Sequence, residues 1–268
     1  MTPFDLIAVG DNCIDRFEGA VKAERIGGNA VNVAAQAARL GLRSAYVGAV
    51  GPEGEPEGDA VIAALTRAGV ATALVERRPL PTSVTRLHVA ADGDRQILHE
   101  DFGACANWTP APWVRETLSA ARHVHIGWLQ DGGTLRRALA LQAVPISQDV
   151  TVNAAPEDLG VEGLTIAFAS LPEAEADEAE ARARALLAQG AQNAVVTLGR
   201  RGSLALIGGQ VHRAHALPVD PVDTTGAGDA YIAGFLAARL RGLSVPDAMA
   251  AGHANAARAC GHPGGFPQ

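Results

Sequence analysis

Aromatic residues and cysteines are scarce in this sequence. Phe, Trp and Tyr together make up 4% of the 268 residues, so stacking on a ligand is expected to be a minor theme. The three tryptophans are predicted to be packing residues, namely Trp108, Trp113 and Trp128. The cysteines are odd in number and widely spaced, which favours neither a disulfide framework nor a zinc site. They are predicted to be buried or half-buried thiols: Cys13, Cys105 and Cys260.

Long apolar runs and an excess of positive charge are also missing. Gly, charged or turn residues interrupt every longer apolar stretch, and the first residues, MTPFDLIAVG, carry no basic stretch before an apolar run. We therefore expect a cytoplasmic protein without a membrane partner. The formal charge of -7 argues against a nucleic-acid or anionic-membrane surface. The eight histidines show no ligand spacing such as HExxH, so no metal cage is predicted.

What is present is enough apolar sequence, 48% of the residues, to bury the core of one large domain over residues 1–268. Short apolar runs alternate with helical patterns. Strands are predicted at 4–10, 45–50, 124–126, 145–148, 165–168 and 194–198, and helices at 29–40, 58–68, 134–142 and 173–189. Such alternation predicts an α/β fold with a mostly parallel central sheet and helices on both faces, and ligands gather at the carboxyl ends of the strands.

One segment breaks the alternation and predicts a β-hairpin. Residues 83–90 alternate, Asp92-Gly93-Asp94 supplies a turn, and residues 95–100 return. Together with an extended stretch near 17–25, this hairpin is expected to form a small β lid from segments of about 16–26 and 82–102. A surface decoration and a subunit contact, which would make a homodimer through the lid, are the alternatives.

The strongest motif is DTTGAGD at 223–229, followed directly by the helical pattern AYIAGFLAARL. Small residues leave backbone N–H groups of the turn free to face a cavity, and the helix N-terminus adds partial positive charge. The turn can therefore stabilise negative charge on a transferring phosphoryl group. Asp229, at the start of the helix, is placed to take a proton from a hydroxyl, although an Asp there is often only a helix cap.

A second motif is GGNAVNVA at 27–34. Paired glycines let a ligand approach the backbone closely, and Gly28 is one of them. Asn29 and Asn32 are three residues apart in the first turn of a predicted helix, so they share a face and can bond sugar hydroxyls. Asn29 could also be a simple helix cap.

The two motifs together resemble the signatures of the ribokinase or PfkB family of carbohydrate kinases, in the same order and at a similar separation. The resemblance implies a ribokinase-like three-layer fold and an enzyme that uses ATP and Mg²⁺ to phosphorylate a sugar hydroxyl. It implies that Asp229 is the catalytic base and that an anion hole is formed by Gly226, Ala227 and Gly228. It also implies a sugar site of Asp15, Gly28, Asn29 and Asn32, with Asp11 and Asn12 as weaker members.

For the nucleotide, the resemblance points to the segment TLGRRG, with Thr197, Gly199 and Gly202; an ordinary strand exit is the alternative. The family usually shows Asn-x-x-Glu near residue 170, where this sequence has Ser170 and Glu173. Glu173 is expected to act on magnesium indirectly. Ser170 is expected at the nucleotide site, although its hydroxyl is shorter than the usual amide and reaches less far toward a water-coordinated metal. Asp223 and Thr225 match positions that hold a monovalent cation in some relatives, so such a cation is an open possibility.

Three segments resemble bacterial fructoselysine 6-kinases within the family: GDNCID at 10–15, FAS at 168–170 and the residues around 264–266. That resemblance implies a fructosamine substrate phosphorylated at a primary hydroxyl, with its amino-acid tail beneath the lid. Arg86 and Arg95 are then candidates for the tail carboxylate, or else solvated surface charges. Kinases for fructose, ribose, a 2-keto sugar acid or a nucleoside remain alternatives, as does a catalytically silent sugar-binding protein on the same scaffold.

Overall fold

The computed structural model describes residues 3–90 and 95–268, with the side chain of Arg95 outside that description. The strands are β1 Leu6–Val9, β2 Cys13–Gly19, β3 Ala23–Gly27, β4 Ser44–Val47, β5 Ala49–Val50, β6 Glu76–Arg77, β7 Val84–Val89, β8 Arg95–Asp101, β9 Val124–Ile126, β10 Ile146–Asp149, β11 Ile166–Ser170, β12 Ala194–Thr197, β13 Ser203–Ile207 and β14 Gln210–Ala214. The α-helices are α1 Asn29–Arg39, α2 Pro56–Arg67, α3 Pro112–Ser119, α4 Thr134–Leu141, α5 Ala179–Ala188, α6 Ala227–Leu240 and α7 Val245–Ala259.

The main sheet has eight strands in the order β14-β13-β12-β11-β10-β9-β1-β4. From β4 to β12 all neighbours are parallel, whereas β13 and β14 are antiparallel to their neighbours. Buried strands with side chains on alternating faces need cover on both sides. Ile7 and Val9 face a core shared with α3, α4 and α5, while Leu6 and Ala8 face a core shared with α1, α2, α6 and α7. The predicted three-layer, mostly parallel α/β fold is confirmed.

A second sheet of four strands, in the order β3-β2-β7-β8, occupies the segments for which a lid was predicted. It is bound to the main body by an ion pair, Arg16 Nη2 to Glu57 Oε1 at 2.6 Å, and by the stacked rings of Phe102 and Trp128, whose centroids lie 4.3 Å apart. The predicted turn at 92–94 lies outside the described residues. That this sheet closes over a ligand stays a prediction.

Two predicted elements differ in detail. The strand predicted at 45–50 is divided into β4 and β5 at Gly48, where a Cβ would lie 2.7 Å from the Gly10 carbonyl oxygen and would overlap the Tyr46 ring. The helix predicted at 173–189 opens with a 3₁₀ segment, Glu173–Glu178, and becomes α-helical at Ala179. Among the helices of the described ranges, none has the length and apolar character needed to cross a bilayer.

Candidate active site

The two sequence motifs meet at the carboxyl edge of the main sheet. The GGNAVNVA motif starts α1 at Asn29, and the DTTGAGD motif leads into α6 at Ala227. Parallel strands β1, β10, β11 and β12 all end at this edge, so the residues that follow them converge on the starts of the two helices. The site is therefore assembled from helix N-termini and strand ends, both of which present backbone N–H groups and short polar side chains.

At the centre lies the buried carboxylate of Asp229, in the first turn of α6. The amide Nδ2 of Asn29 donates to its Oδ1 at 2.6 Å, and Nδ2 of Asn32 donates to its Oδ2 at 2.8 Å. The two asparagines are one turn apart on α1 and so face the same carboxylate. Each carboxylate oxygen of Asp229 thus accepts one hydrogen bond from an asparagine amide. The two bonds orient the carboxylate without supplying a positive charge.

Asp149, at the end of β10, is a site residue that sequence reasoning missed. Its Oδ2 accepts from Nδ2 of Asn29 at 3.2 Å, so the amide of Asn29 bridges Asp149 and Asp229. Its Oδ1 accepts from the backbone N–H of Thr151 at 2.9 Å, which fixes the carboxylate at the strand exit. The predicted strand at 145–148 ends immediately before this residue, and that position was the signal that could have identified it.

Burial and mutual repulsion set the charge state of these carboxyls. Burial raises the pKa of Asp229 well above its usual value, the bond from Asn32 opposes the rise, and the negative charges of Asp149 and Asp11 add to it. Burial also raises the pKa of Asp149, against the bonds from Thr151 and Asn29. Within the described ranges, neither carboxyl forms an ion pair with Lys or Arg. The site therefore favours a ligand that brings positive charge.

Asp11 caps the start of α1. Its Oδ2 accepts from the N–H of Asn29 at 3.0 Å and its Oδ1 from the N–H of Ala30 at 3.2 Å. Burial raises its pKa to about 6, against these backbone bonds. Gly28 precedes the helix with φ 108°, and a Cβ there would lie 2.7 Å from Cα of Asn12. Asp11 and Gly28 therefore position Asn29, and the geometry gives them a structural role beside the expected substrate contact.

The side chain of Asn12 points away from the site. It is fully buried, and its Nδ2 donates to the Tyr46 hydroxyl at 3.0 Å and the Ala49 carbonyl at 2.7 Å. The expected contact of the Asn12 side chain with substrate is therefore wrong. Asn12 instead connects the loop after β1 to β4 and β5 by hydrogen bonds. Asp15, by contrast, lies on β2 opposite Arg25, and its Oδ2 is within 2.8 Å of where a Cβ on Gly27 would be.

The expected anion hole forms the start of α6. Gly226 has φ 72°, and a Cβ there would lie 2.5 Å from Cα of Gly265, so only glycine fits. The N–H of Ala227 bonds to the Thr224 carbonyl at 3.2 Å, and the N–H of Ala230 closes the first helical bond on Gly226 at 2.8 Å. The N–H groups between them, on Gly228 and Asp229, belong to the first turn and have no acceptor within the helix.

A cavity of about 540 Å³ adjoins this turn. It brings together the four residues predicted for the nucleotide with two from the anion hole: Ser170, Thr197, Gly199, Gly202, Ala227 and Gly228. Its remaining wall is mostly apolar and includes Tyr231 and Ala256. A mostly apolar cavity beside a helix N-terminus has the shape and chemistry for a flat ring and an attached phosphate chain.

Glu173 lines the same cavity. Its Oε1 accepts from the backbone N–H of Arg200 at 2.9 Å and from Arg200 Nε at 3.3 Å. The bond from the Arg200 backbone, followed by its guanidinium, lowers the pKa of Glu173. Both bonds reach one oxygen, Oε1, and the expected indirect role of Glu173 at magnesium stays a prediction. In the described part of the chain, no cluster of three His, Cys, Asp or Glu could hold a metal directly.

A carboxyl-terminal strap, residues 262–268, lies against α1 and the turn before α6. The N–H of Gly264 donates to Asp223 Oδ2 at 3.0 Å, and Gln36 Nε2 donates to the Gly265 carbonyl at 2.6 Å. Phe266 is fully buried in the core between α1 and α6. Asp223 also accepts from the N–H of Thr225 at 2.9 Å, so these two residues shape the turn before Gly226. Their expected part in holding a monovalent cation stays a prediction.

Comparison with known proteins decides the family. The profile of the pfkB family carbohydrate kinases matches residues 18–266. This chain belongs to that family. A pfkB family carbohydrate kinase is an enzyme that phosphorylates its substrate, and the predicted enzyme class is thereby confirmed.

Two curated relatives and one solved structure are similar to this pfkB family kinase over almost its entire length. It is 35% identical over 257 residues, 94% of this chain and 96% of the relative, to a "Fructoselysine 6-kinase" of Shigella flexneri. It is 27% identical over 265 residues, 97% and 92% of the two chains, to a "Fructosamine kinase FrlD" of Bacillus subtilis. The ribokinase of Arabidopsis thaliana, solved with ribose and ATP, superimposes with a TM-score of 0.87 at 22% identity, covering 99% of this chain and 96% of the other, which shows the fold.

Proposed function

We propose that this kinase transfers the γ-phosphoryl group of ATP to a primary hydroxyl of a fructosamine, such as O6 of fructoselysine. The relatives at 35% and 27% identity are named for such substrates, and the similarity extends over almost the entire chain. One observation in the site supports the same substrate class independently. Asp229, Asp149 and Asp11 form a buried acidic centre whose hydrogen bonds come from side-chain amides and backbone N–H groups rather than from cationic side chains.

A fructosamine carries a secondary ammonium group, which fructose and ribose lack. A positive charge near buried carboxylates favours their ionised form and offsets the cost of removing them from water. Because burial raises the pKa of Asp229, a cationic substrate would also help to keep this carboxylate deprotonated, which is the state it needs to act as a base. A neutral sugar would supply no such compensation.

In the proposed reaction, the oxygen of the sugar hydroxyl attacks the γ-phosphorus of ATP while Asp229 accepts the hydroxyl proton. The bond from the γ-phosphorus to the β,γ-bridging oxygen breaks, and ADP leaves. Asn29 and Asn32 hold the carboxylate in place through their Nδ2 atoms. The free N–H groups of the first turn of α6 bond the phosphoryl oxygens, where negative charge is carried during transfer. Mg²⁺, when bound with ATP, neutralises phosphate charge; Glu173 is the residue whose position fits a water on that ion.

The nucleotide is proposed to lie in the 540 Å³ cavity, with its phosphates toward Gly228. The tail of the substrate would extend under the second sheet. Arg86 of that sheet is bonded through Nη2 to Glu18 Oε1 at 2.8 Å and half exposed, which favours its interpretation as a surface charge over a ligand for the tail carboxylate. The side chain of Arg95 lies outside the described residues.

The test is a substrate panel with ATP and Mg²⁺, read by ADP release. Fructoselysine, 1-amino-1-deoxyfructose, fructose and ribose separate the contributions of the tail and the ammonium group. We expect fructoselysine to exceed fructose in kcat/KM by more than ~10-fold, about 1.4 kcal/mol of transition-state binding. We also expect 1-amino-1-deoxyfructose to exceed fructose, because the two differ in the ammonium group alone. If fructose or ribose is preferred, the kinase assignment stands and the fructosamine substrate is abandoned.

A further inference from the structure

A buried chain of polar side chains lies directly behind the acidic centre, and the proposed chemistry does not use it. His123 immediately precedes β9, His125 is on β9 and Ser147 is on β10, and all three are buried. Ser147 Oγ lies 2.8 Å from His123 Nε2 and 2.9 Å from His125 Nδ1. His125 Nε2 lies 3.4 Å from Asn29 Oδ1. This row of hydrogen-bonded side chains therefore ends on the Asn29 amide, which bridges Asp149 and Asp229.

The direction of every bond in this chain follows from the two carboxylates. Asn29 must turn its Nδ2 toward Asp229 and Asp149, because an amide oxygen facing two carboxylates would be repelled. Its Oδ1 then faces His125 and needs a donor, so His125 carries its proton on Nε2. His125 Nδ1 is left as an acceptor, and the Ser147 hydroxyl donates a hydrogen bond to it. Ser147 Oγ in turn accepts from Nε2 of His123.

The surroundings keep the two rings neutral and fixed. Burial lowers the pKa of His123 to about 4, and burial together with the charge of His123 lowers that of His125 to about 3. The groups that face His125 are Ser147 on β10 and Asn29 on α1, and His123, just before β9, acts on it electrostatically. Phe168 of β11 packs against its ring edge-on, with centroids 6.3 Å apart. Neither histidine is therefore placed to act as a proton donor to substrate.

A close backbone approach confines the amide of Asn29 as well. Gly127 follows β9, and a Cβ there would lie 2.6 Å from Asn29 Oδ1 and 2.8 Å from the backbone N of Ala30. Glycine at this position lets Asn29 Oδ1 sit against the strand end, within reach of His125. Two separate features, the neutral histidine and the glycine, thus hold the same amide oxygen.

We propose that His125 is a positioning residue for the phosphoryl transfer: its Nε2–H holds Asn29 in the one orientation that presents Nδ2 to Asp229 and Asp149. Ser147 and His123 select the tautomer of His125 that can do so. The inference rests on the proposed role of Asp229 as the base. Without the donor at His125 Nε2, Asn29 Oδ1 loses the bond that anchors the amide, so Nδ2 is held less precisely against Asp229 and the hydrogen bond that favours the ionised form of Asp229 is weakened.

The kinetic test compares two substitutions of almost equal length and volume, His125→Gln and His125→Met. Glutamine can place an N–H donor where His125 Nε2 lies, whereas methionine cannot. We expect the Gln variant to keep kcat within ~3-fold of wild type and the Met variant to lose at least ~10-fold through misplacement of the base. The acid limb of the pH profile of kcat should move to higher pH in the Met variant only. The groups that face Asp229 and act on this limb are Asn29, Asn32, Asp149 and Asp11.

A spectroscopic test needs no variant. Long-range ¹⁵N correlation spectra of histidine-labelled wild-type kinase should show His125 and His123 neutral and protonated on Nε2 from pH 6 to 8. A His125 protonated on Nδ1 would overturn the proposal, whatever the variants do. So would equal kcat and equal pH profiles for the Gln and Met variants.

Asp229→Asn separates this inference from the proposed function. If Asp229→Asn keeps wild-type turnover, the base assignment fails, and the role of His125 in transfer fails with it, while the tautomer result stands as structure. If Asp229→Asn loses turnover but the two His125 variants behave alike, only the positioning role is lost.

Discussion

Asn32 Nδ2 donates to Asp229 Oδ2 at 2.8 Å, although 197 residues separate the two in the chain. The bond joins the GGNAVNVA motif on α1 to the DTTGAGD motif at the start of α6. Each motif alone could be a helix start with an ordinary cap. Their side chains instead form a hydrogen bond with each other across the site, so the two motifs belong to one hydrogen-bonded unit.

Asp229→Asn should lower turnover by at least ~100-fold, the smaller effect expected when a general base is lost, while ATP binding is kept. The measurements are steady-state kinetics and nucleotide titration of the purified variant. Asp247→Asn is the matched control, because Asp247 is also the third residue of its helix, α7, but is exposed. Near-normal turnover of Asp229→Asn would show that Asp229 is not the catalytic base.

Gly265→Ala should lower kcat by at least ~10-fold through displacement of a substrate-side group. A Cβ on Gly265 would overlap the side chain of Asn32 and push its amide away from Asp229. The control is Gly261→Ala in the same part of the chain, where a Cβ would meet only the Arg258 carbonyl oxygen, at 3.3 Å. Equal kcat for the two variants would show that Asn32 tolerates the intrusion.

Asp149→Asn should become more stable relative to wild type as the pH rises. Burial raises the folded-state pKa of Asp149, so the wild type gains stability from it only at low pH and loses that contribution as pH rises through the folded value. The variant cannot titrate there. The difference in unfolding free energy should thus shift toward the variant as the pH rises above the ordinary pKa of an aspartate, by up to about 1.4 kcal/mol per pH unit.

Urea unfolding at several pH values measures this difference. Asp220→Asn removes one exposed carboxylate and serves as the control. A pH-independent difference for Asp149→Asn would contradict the assigned burial of its charge.

Chelation of magnesium should abolish phosphoryl transfer, because the phosphate charge needs a divalent ion and this site offers it no direct protein cage in the described residues. The measurement is formation of the phosphorylated sugar with excess EDTA, followed by addition of Mg²⁺ above the chelator concentration. Activity is expected to return on that addition. Full turnover in excess chelator would refute the metal requirement.

The fold could be predicted from the sequence because its elements are locally encoded. The alternation of short apolar runs with helical patterns gave strands and helices whose ends agree with the structure within a few residues, as for the predicted helix 29–40 and α1. The β13–β14 hairpin was missed, although Gly208-Gly209 between two apolar runs is a recognisable turn signal; both glycines have positive φ, 59° and 78°. The start of α5 was missed because 3₁₀ and α-helical segments share the same composition.

The site was predictable only where its residues stand in a motif. Asn29, Asn32 and Asp229 were found from local sequence, and the structure brings them together. Asp149 and His125 belong to no motif, since their partners come from other strands and helices. Asn12 shows the reverse case: a polar residue in a motif loop whose partners lie in the interior.

The carboxyl-terminal strap has a consequence for the order in which this protein acquires its activity. Gln268 accepts from the N–H of Ile26 at 2.9 Å across 242 residues, and Gly265 lies against Asn32 and Gly226. Contacts between such distant positions close the largest loops in the chain, and topologies dominated by them fold slowly. After dilution from denaturant, helical signal should therefore recover before catalysis, because the surroundings of Asn32 are complete only when residues 262–268 have docked against Ile26 and α1.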